Sequence, residues 1–314
     1  MPLWLIATII TGLGWGIGGI ALGRAAREVS PPLLTAIYNS LAAVLFFSLF
    51  VTSNEVHYIS LNTGDAHSEL IRALVAGTIG GLGFALGLTA LSAGLAKGRT
   101  SIIGPVNATF VILAVFAYAL LANKLPTAWA IVGVGFLICV PWLVAQTNHR
   151  AEHVTTTIGR DINFGIFIGL GFAVYMISLA EAPPHLRLFM FAIIQLVSCL
   201  SMLLVHIRSK RTFKISRAQS VPALIFIAME LIAVVAIRIA FNSGSPSIVT
   251  ALSTVCEISS MLLCARIFNK EKFSRFQIAG ALFTCIGIVL VVLNTYYLSS
   301  ATRQFLHFRL TNVV

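Results

Sequence analysis

The sequence predicts an all-α integral membrane protein of ten transmembrane helices, arranged as two inverted five-helix repeats. Composition is the first observation. Of 314 residues, 58% are hydrophobic and only 10% charged, against about 25% charged in an ordinary soluble domain, and the mean hydropathy is +0.95. The second is periodic. Apolar runs of roughly 20 residues, each able to cross a hydrocarbon core of about 30 Å as a helix, recur along the whole chain. The third is an echo. The last two runs form a hairpin about a charged turn, Asn269-Lys270-Glu271-Lys272, and a weaker copy between Lys97 and Gln146 turns at Asn123-Lys124. Barrel strands are excluded, because they would alternate with period two over about 10 residues.

The first span, Leu3–Gly23, lacks the basic leader of a signal peptide, and its apolar run is too long for one. Gly12, Gly16, Gly19 and Gly23 recur in it at spacings of three and four, which leaves one side nearly bare for close helix packing. A short loop with Pro31-Pro32 leads to the second span, Leu33–Thr52. Asn54–Glu69 is expected to be a loop, with three acids and no lysine or arginine. Leu70–Ala93 is the glycine-rich third span, and Lys97-Gly98-Arg99 turns the chain into the fourth, Ser101–Ala122. Pro105, beside Gly104, predicts a break or kink there. Thr127–Ala145 is the fifth span, and polar Gln146–Arg160 follows as a linker. Five more spans complete the set: Ile162–Leu179, Leu188–Ile207, Val221–Phe241, Ile248–Phe268 and Phe276–Leu298. The organisation is therefore a first repeat over 1–146, a linker over 147–160, a second repeat over 161–298 and an interfacial tail over 299–314.

The halves agree in more than span count. Pro31-Pro32 after the first span is matched by Pro183-Pro184 after the sixth, and Asn123-Lys124 by Asn269-Lys270. Thr127 with Gly133 is matched by Ser274 with Gly280 at the same spacing. An odd number of spans per repeat inverts one half relative to the other, as in many secondary transporters. The better-preserved hairpin carries Glu271-Lys272-Phe273-Ser274, then Gln277, Gly280 and Gly287. This layout resembles the EamA type of the drug/metabolite transporter superfamily, across essentially the whole chain. In the first copy the turn has no glutamate, Ala130 stands in place of Gln277, and Val140 replaces the second glycine. The resemblance implies transport of amino acids, other metabolites, drugs or sugar-linked compounds, without selecting among them.

Fifteen lysines and arginines fall in one set of loops and four on the other side, which includes both termini. The positive-inside rule places the richer set in the cytoplasm of a cell or inner membrane, with both termini outside. Many EamA relatives are expected to have cytoplasmic termini, so this orientation departs from the family picture. The formal charge of +11 is explained by these loops, and nucleic acid is not an expected partner. Cys139, Cys199, Cys256, Cys264 and Cys285 all lie in apolar runs without CxxC spacing and read as small buried hydrophobes.

No HExxH, GxSxG, P-loop or paired histidines at ligand spacing is present, so neither an enzyme nor a cofactor is expected. The informative residues are charges inside spans, each costing about 2.5–3.5 kcal/mol near a helix centre on insertion scales. Glu230, Arg238 and Glu257 stand out, both glutamates near the midplane. They either line a transport cavity or form a fixed ion pair. Arg238 lies about 12 Å along the axis from Glu230, so Glu257 on the next, antiparallel helix is its better partner. Trp15, Tyr38, Asn39, Asn107, Tyr175 and Gln195 are further candidates for the substrate path, with interhelical hydrogen bonding as the alternative role. The expected function is alternating-access transport of a small organic solute, driven by an ion gradient or the solute's own. A non-transporting receptor or assembly subunit and a lipid-carrier flippase are the other readings. The expected partners are that solute, a coupling proton and the lipid bilayer, with a homodimer left open. A reporter fused after Val314 should fall outside the cytoplasm, giving active alkaline phosphatase and dark green fluorescent protein. A fluorescent fusion overturns the orientation.

Overall fold

Charged residues punctuate the apolar runs, and in the computed structural model the described part of every run is helical. Residues 2–27, 29–60, 64–121, 128–145, 154–183, 185–209, 217–244 and 246–290 are described. Among them the helices are α1 (Leu3–Ala25), α2 (Pro31–Val51), α3 (Asn54–Ser60), α4 (Gly64–Lys97), α5 (Thr100–Leu121), α6 (Ala128–Ala145), α7 (Val154–Ala180), α8 (Arg187–Ser209), α9 (Arg217–Ser243) and α10 (Pro246–Phe268), followed by α11 (Arg275–Leu290). No strand occurs among the described residues. Eight helices (α1, α2, α4, α5, α7, α8, α9 and α10) are long and apolar enough to cross a membrane. The apolar part of α6 and the described part of α11 are shorter. The chain is a multi-pass integral membrane protein.

Three local expectations are corrected. Asn54–Glu69 is mostly helical, with α3 inside it and α4 beginning at Gly64. Asp65 and Glu69 in the opening turns of α4 favour this, because acids complement the positive end of the helix dipole. Pro105 does not break α5, which runs through it. It sits near the start of that helix, where the loss of one N–H removes little of the hydrogen-bond ladder. The expected linker gives way to α7 at Val154, and the tail over 299–314 lies outside the described residues.

Packing follows the glycines. Lipid tails are as apolar as leucine, so helices in a bilayer associate through close van der Waals approach, not through hydrophobic burial. α1 lies against α9 and α10, α7 against α4 and α5, and α2 against α8. A Cβ added to Gly14 would stand 2.9 Å from the Met229 carbonyl oxygen, and one added to Gly171 would stand 2.7 Å from the Gly83 carbonyl oxygen. Gly12 and Gly16 similarly admit the backbone of α10, and Ser260 Oγ donates to the Gly12 carbonyl at 3.3 Å. Phe46 stacks on Phe191 where α2 meets α8, with ring centres 5.1 Å apart.

Carboxylates tie helix ends together. Lys270, at φ 53°, turns the chain after α10. Glu271 then accepts bonds from the Ser101 amide (3.1 Å) and hydroxyl (2.6 Å) at the start of α5. Ser274 and Gln277 form a reciprocal capping box on α11, with bonds of 2.9 and 3.2 Å. At the opposite end Glu181 bonds Arg72 of α4 and the Tyr118 hydroxyl of α5.

Gly16→Leu should therefore cost about 1–3 kcal/mol or more through overpacking against Ser260. Gly135→Ala, with open space around it, should be neutral or slightly stabilising. Thermal melting of the purified protein in detergent reads both, and equal melting temperatures would contradict the packing.

Candidate functional site

Glu230 and Glu257 sit near the middles of α9 and α10. With relative exposures of 2% and 8%, neither is hydrated like a surface carboxylate. They face one cavity, together with Thr254 of α10. Its other walls are Trp15 of α1, Phe84 and Leu91 of α4, Val111 of α5, and Phe172, Tyr175 and Met176 of α7. Among the described residues, no basic side chain lines it. The Tyr175 hydroxyl and Glu230 Oε2 are buried without a hydrogen-bond partner among the described residues. The cavity volume is about 20 Å³, room for about one water.

Local sequence explains why these elements meet. Gly12-Leu13-Gly14-Trp15 on α1 and Gly169-Leu170-Gly171-Phe172 on α7 share one pattern. Gly14 meets Met229 and Ala233 of α9, and Gly171 meets Gly83 and Gly87 of α4. Gly12 meets Ser253 and Cys256 of α10, and Gly169 meets Asn107 and Phe110 of α5. The aromatic residue ending each pattern reaches the cavity.

The sequence-predicted residues divide. Trp15, Tyr175, Glu230 and Glu257 line the cavity. Tyr38 lies behind it, fully buried, with its ring centre 6.4 Å from Phe84 and 5.7 Å from Phe226. Asn39 donates to the Thr35 carbonyl at 2.7 Å within α2, as interhelical or helix-internal polar residues do. Asn107 and Gln195 are buried outside the lining. Phe84, Leu91, Val111, Phe172, Met176 and Thr254 were missed, because apolar residues and threonines are common throughout spans. The Gly-Leu-Gly-aromatic pattern, which recurs at Gly81-Leu82-Gly83-Phe84, was a usable signal for Phe84 and Phe172.

Arg238 is the main correction. The ion pairs among the described residues are Arg72 with Glu181 and Arg160 with Asp161, and Arg238 does not pair with Glu257. Eight residues along α9 from Glu230, it is carried toward the end of the bundle where α3 lies, and its Nε is buried without a hydrogen-bond partner. Its charge is felt there by Glu55. Glu55 accepts the amides of Leu188 (3.0 Å) and Phe189 (3.1 Å) and so caps α8 from α3.

No family model matches the chain, and no curated protein matches it. A solved structure described only as "Crystal structure of protein" is similar in fold, with a TM-score of 0.57 at 16% identity over 91% of this chain and 97% of that one. At that identity the likeness concerns the fold alone.

Burial raises the pKa of Glu55, outweighing the opposing effects of the Leu188 and Phe189 amides and of Arg238 and Arg187. A carboxyl raised on folding stabilises the fold fully below its unfolded pKa of about 4.3, and the contribution is lost as pH rises through the folded value. Glu55→Gln keeps an acceptor oxygen and removes this titration. Its melting temperature should therefore gain on the wild type as pH climbs from about 4 to 7, and a gap that shrinks over that range contradicts the assignment.

Proposed function

We propose that this chain is a secondary transporter of the drug/metabolite transporter superfamily, EamA type, moving a small organic solute by alternating access. The observation that carries the reading is a pair of buried carboxylates, on neighbouring helices, facing one cavity that no basic side chain among the described residues lines. Two such charges in a bilayer interior need compensation, and like charges in one site oppose each other's ionisation. Positive charge must come from outside the bundle, as protons or as cargo.

The packing supports a ten-helix, inverted frame. On this reading the shorter α6 and α11 are the remaining two spans, and each half lends its first helix to the other: α1 rests on α9 and α10, α7 on α4 and α5. Such crossed halves around a midplane site suit rocking between two access states. A cavity with room for about one water belongs to a closed state, so cargo enters only when helices or aromatic side chains move. The positive-inside count puts the Glu271 end in the cytoplasm. The flippase reading has no such support. The groove beside α11, lined by Ile258, Leu262 and Gln277 among others, shares no lining residue with the central cavity.

Reconstituted in liposomes and screened against a metabolite mixture, the protein should carry at least one small organic solute across the membrane. Glu230→Gln and Glu257→Gln should each cut that flux about tenfold or more, as expected for loss of a charge-assisted contact worth about 1.5–3 kcal/mol. Full transport by both variants removes the glutamates from the mechanism, and no flux of any solute favours the receptor reading.

A further inference from the structure

One face of α11 is held by α6. Phe283 meets Phe136 with ring centres 4.9 Å apart, and a Cβ added to Gly287 would stand 2.9 Å from the Gly133 carbonyl oxygen. Toward α10 the same helix stands off. The gap is a groove of about 240 Å³, lined by Ile258, Ser259 and Leu262 of α10 and by Ile278, Leu282 and Cys285 of α11, among others. Ser259, Ile278 and Leu282 are exposed at its lip. α10 is one of the eight helices fit to cross a membrane, so what meets that lip is lipid. The groove ends in positive charge. Arg266 follows Leu262 by four residues, and Arg275 precedes Ile278 by three, so each extends its wall of the groove by one turn. Lys270 and Lys272 lie between them, and all four cations are exposed. None of the four enters an ion pair among the described residues, and the one acid of the turn, Glu271, is spent on Ser101.

We propose that this groove holds an anionic phospholipid, with one acyl chain along α10 and α11 and its phosphate between Arg266 and Arg275. The site is independent of what the central cavity carries. Its depth fits a lipid. From Arg275 to Cys285 is about 15 Å along the axis, half of a hydrocarbon core of about 30 Å, and so the reach of a chain from one leaflet. The positive-inside count makes that leaflet the cytoplasmic one. A zwitterionic lipid would fill the apolar part equally well but leave the four cations uncompensated, because its own ammonium offsets its phosphate. A second copy docked here about a twofold axis would bring its own four cations toward these. Topology alone asks for positive charge at this end of the bundle, but not in the first turn of α11, where Arg275 opposes the helix dipole. A lipid phosphate answers that surplus, and arginine pairs with phosphate through two parallel hydrogen bonds.

The test titrates the full chain in detergent, by native mass spectrometry, with dioleoylphosphatidylglycerol and with dioleoylphosphatidylcholine, which share their chains. The first adduct should form about tenfold or more tightly with the anionic lipid. Arg266→Gln and Arg275→Gln should each shrink that preference several-fold. Arg208→Gln, on α8 and in the same set of basic loops, should leave it unchanged, whereas a bulk surface charge would respond to all three alike. Ala281→Phe, placed in the groove lining, should weaken both lipids while the protein elutes as a monodisperse peak. Phosphatidylglycerol with a diazirine on one acyl chain should label residues 258–262 and 278–285 on irradiation, and glycerophosphate, which has the phosphate without chains, should not compete. Equal binding of the two lipids overturns the role of charge. Competition by glycerophosphate overturns the role of the chain, and labelling confined to other helices overturns the site. A dimer that Ala281→Phe dissolves assigns the groove to a second copy instead. The headgroup comparison and the labelling use the wild-type chain, so both can refute the proposal even where a variant fails to fold.

Discussion

Everything else in this bundle depends on backbone-to-backbone approach at α1 and α7. A helix in lipid gains little from hiding leucine against leucine, so specific association needs contacts that lipid cannot make. Gly12, Gly14 and Gly16 on α1, and Gly169 and Gly171 on α7, bring helix backbones together closely enough that any side chain would collide. The polar residues beside these crossings become useful for the same reason. The Ser260 hydroxyl reaches the Gly12 carbonyl only because no side chain stands between them. The crossings also fix which faces of α4, α5, α9 and α10 point inward, and so decide what the cavity sees.

The same geometry makes the buried acids consequential. Glu230 and Glu257 would be tolerable at a helix end, where long side chains reach water. Near the middles of α9 and α10 they are almost fully withdrawn from solvent, with no basic residue among the described ones in the cavity lining. Fold stability argues against such a pair, so its presence marks function more strongly than any single polar residue in the spans. Arg238 sharpens the point. Had it reached Glu257, the charges would have formed a structural pair; placed near Glu55 instead, it leaves the acids free.

Away from the midplane, the acids do structural work of another kind. Glu55, Glu181 and Glu271 each sit at a helix end and join it to another helix through amides, hydroxyls or an arginine. Free amides at a helix start must find acceptors, and in a chain with only ten acids several are spent in this way. In the Asn269–Lys272 turn, Glu271 fastens α5 while Ser274 and Gln277 cap α11. Residues that carry the family resemblance thus hold local structural roles.

The helical membrane class, the positions of the apolar spans and the presence of mid-span acids were legible in the sequence, because a bilayer demands continuous apolar helices and penalises every departure. Boundaries were less legible. α3 and the early start of α4 lie in a stretch that reads as polar loop, since helix propensity outside the membrane leaves no hydropathy signal. Trp15 and Tyr175 were readable as candidates because polar aromatics in spans are few, whereas Leu91, Val111 and Met176 look like any other span residues. Which of the candidates converge, which wall is acidic and which apolar, and that Arg238 stays apart from Glu257 were decided by tertiary structure alone. Those outcomes depend on how far one helix slides along another and which face it turns inward. Glycine contacts between residues far apart in the chain set both.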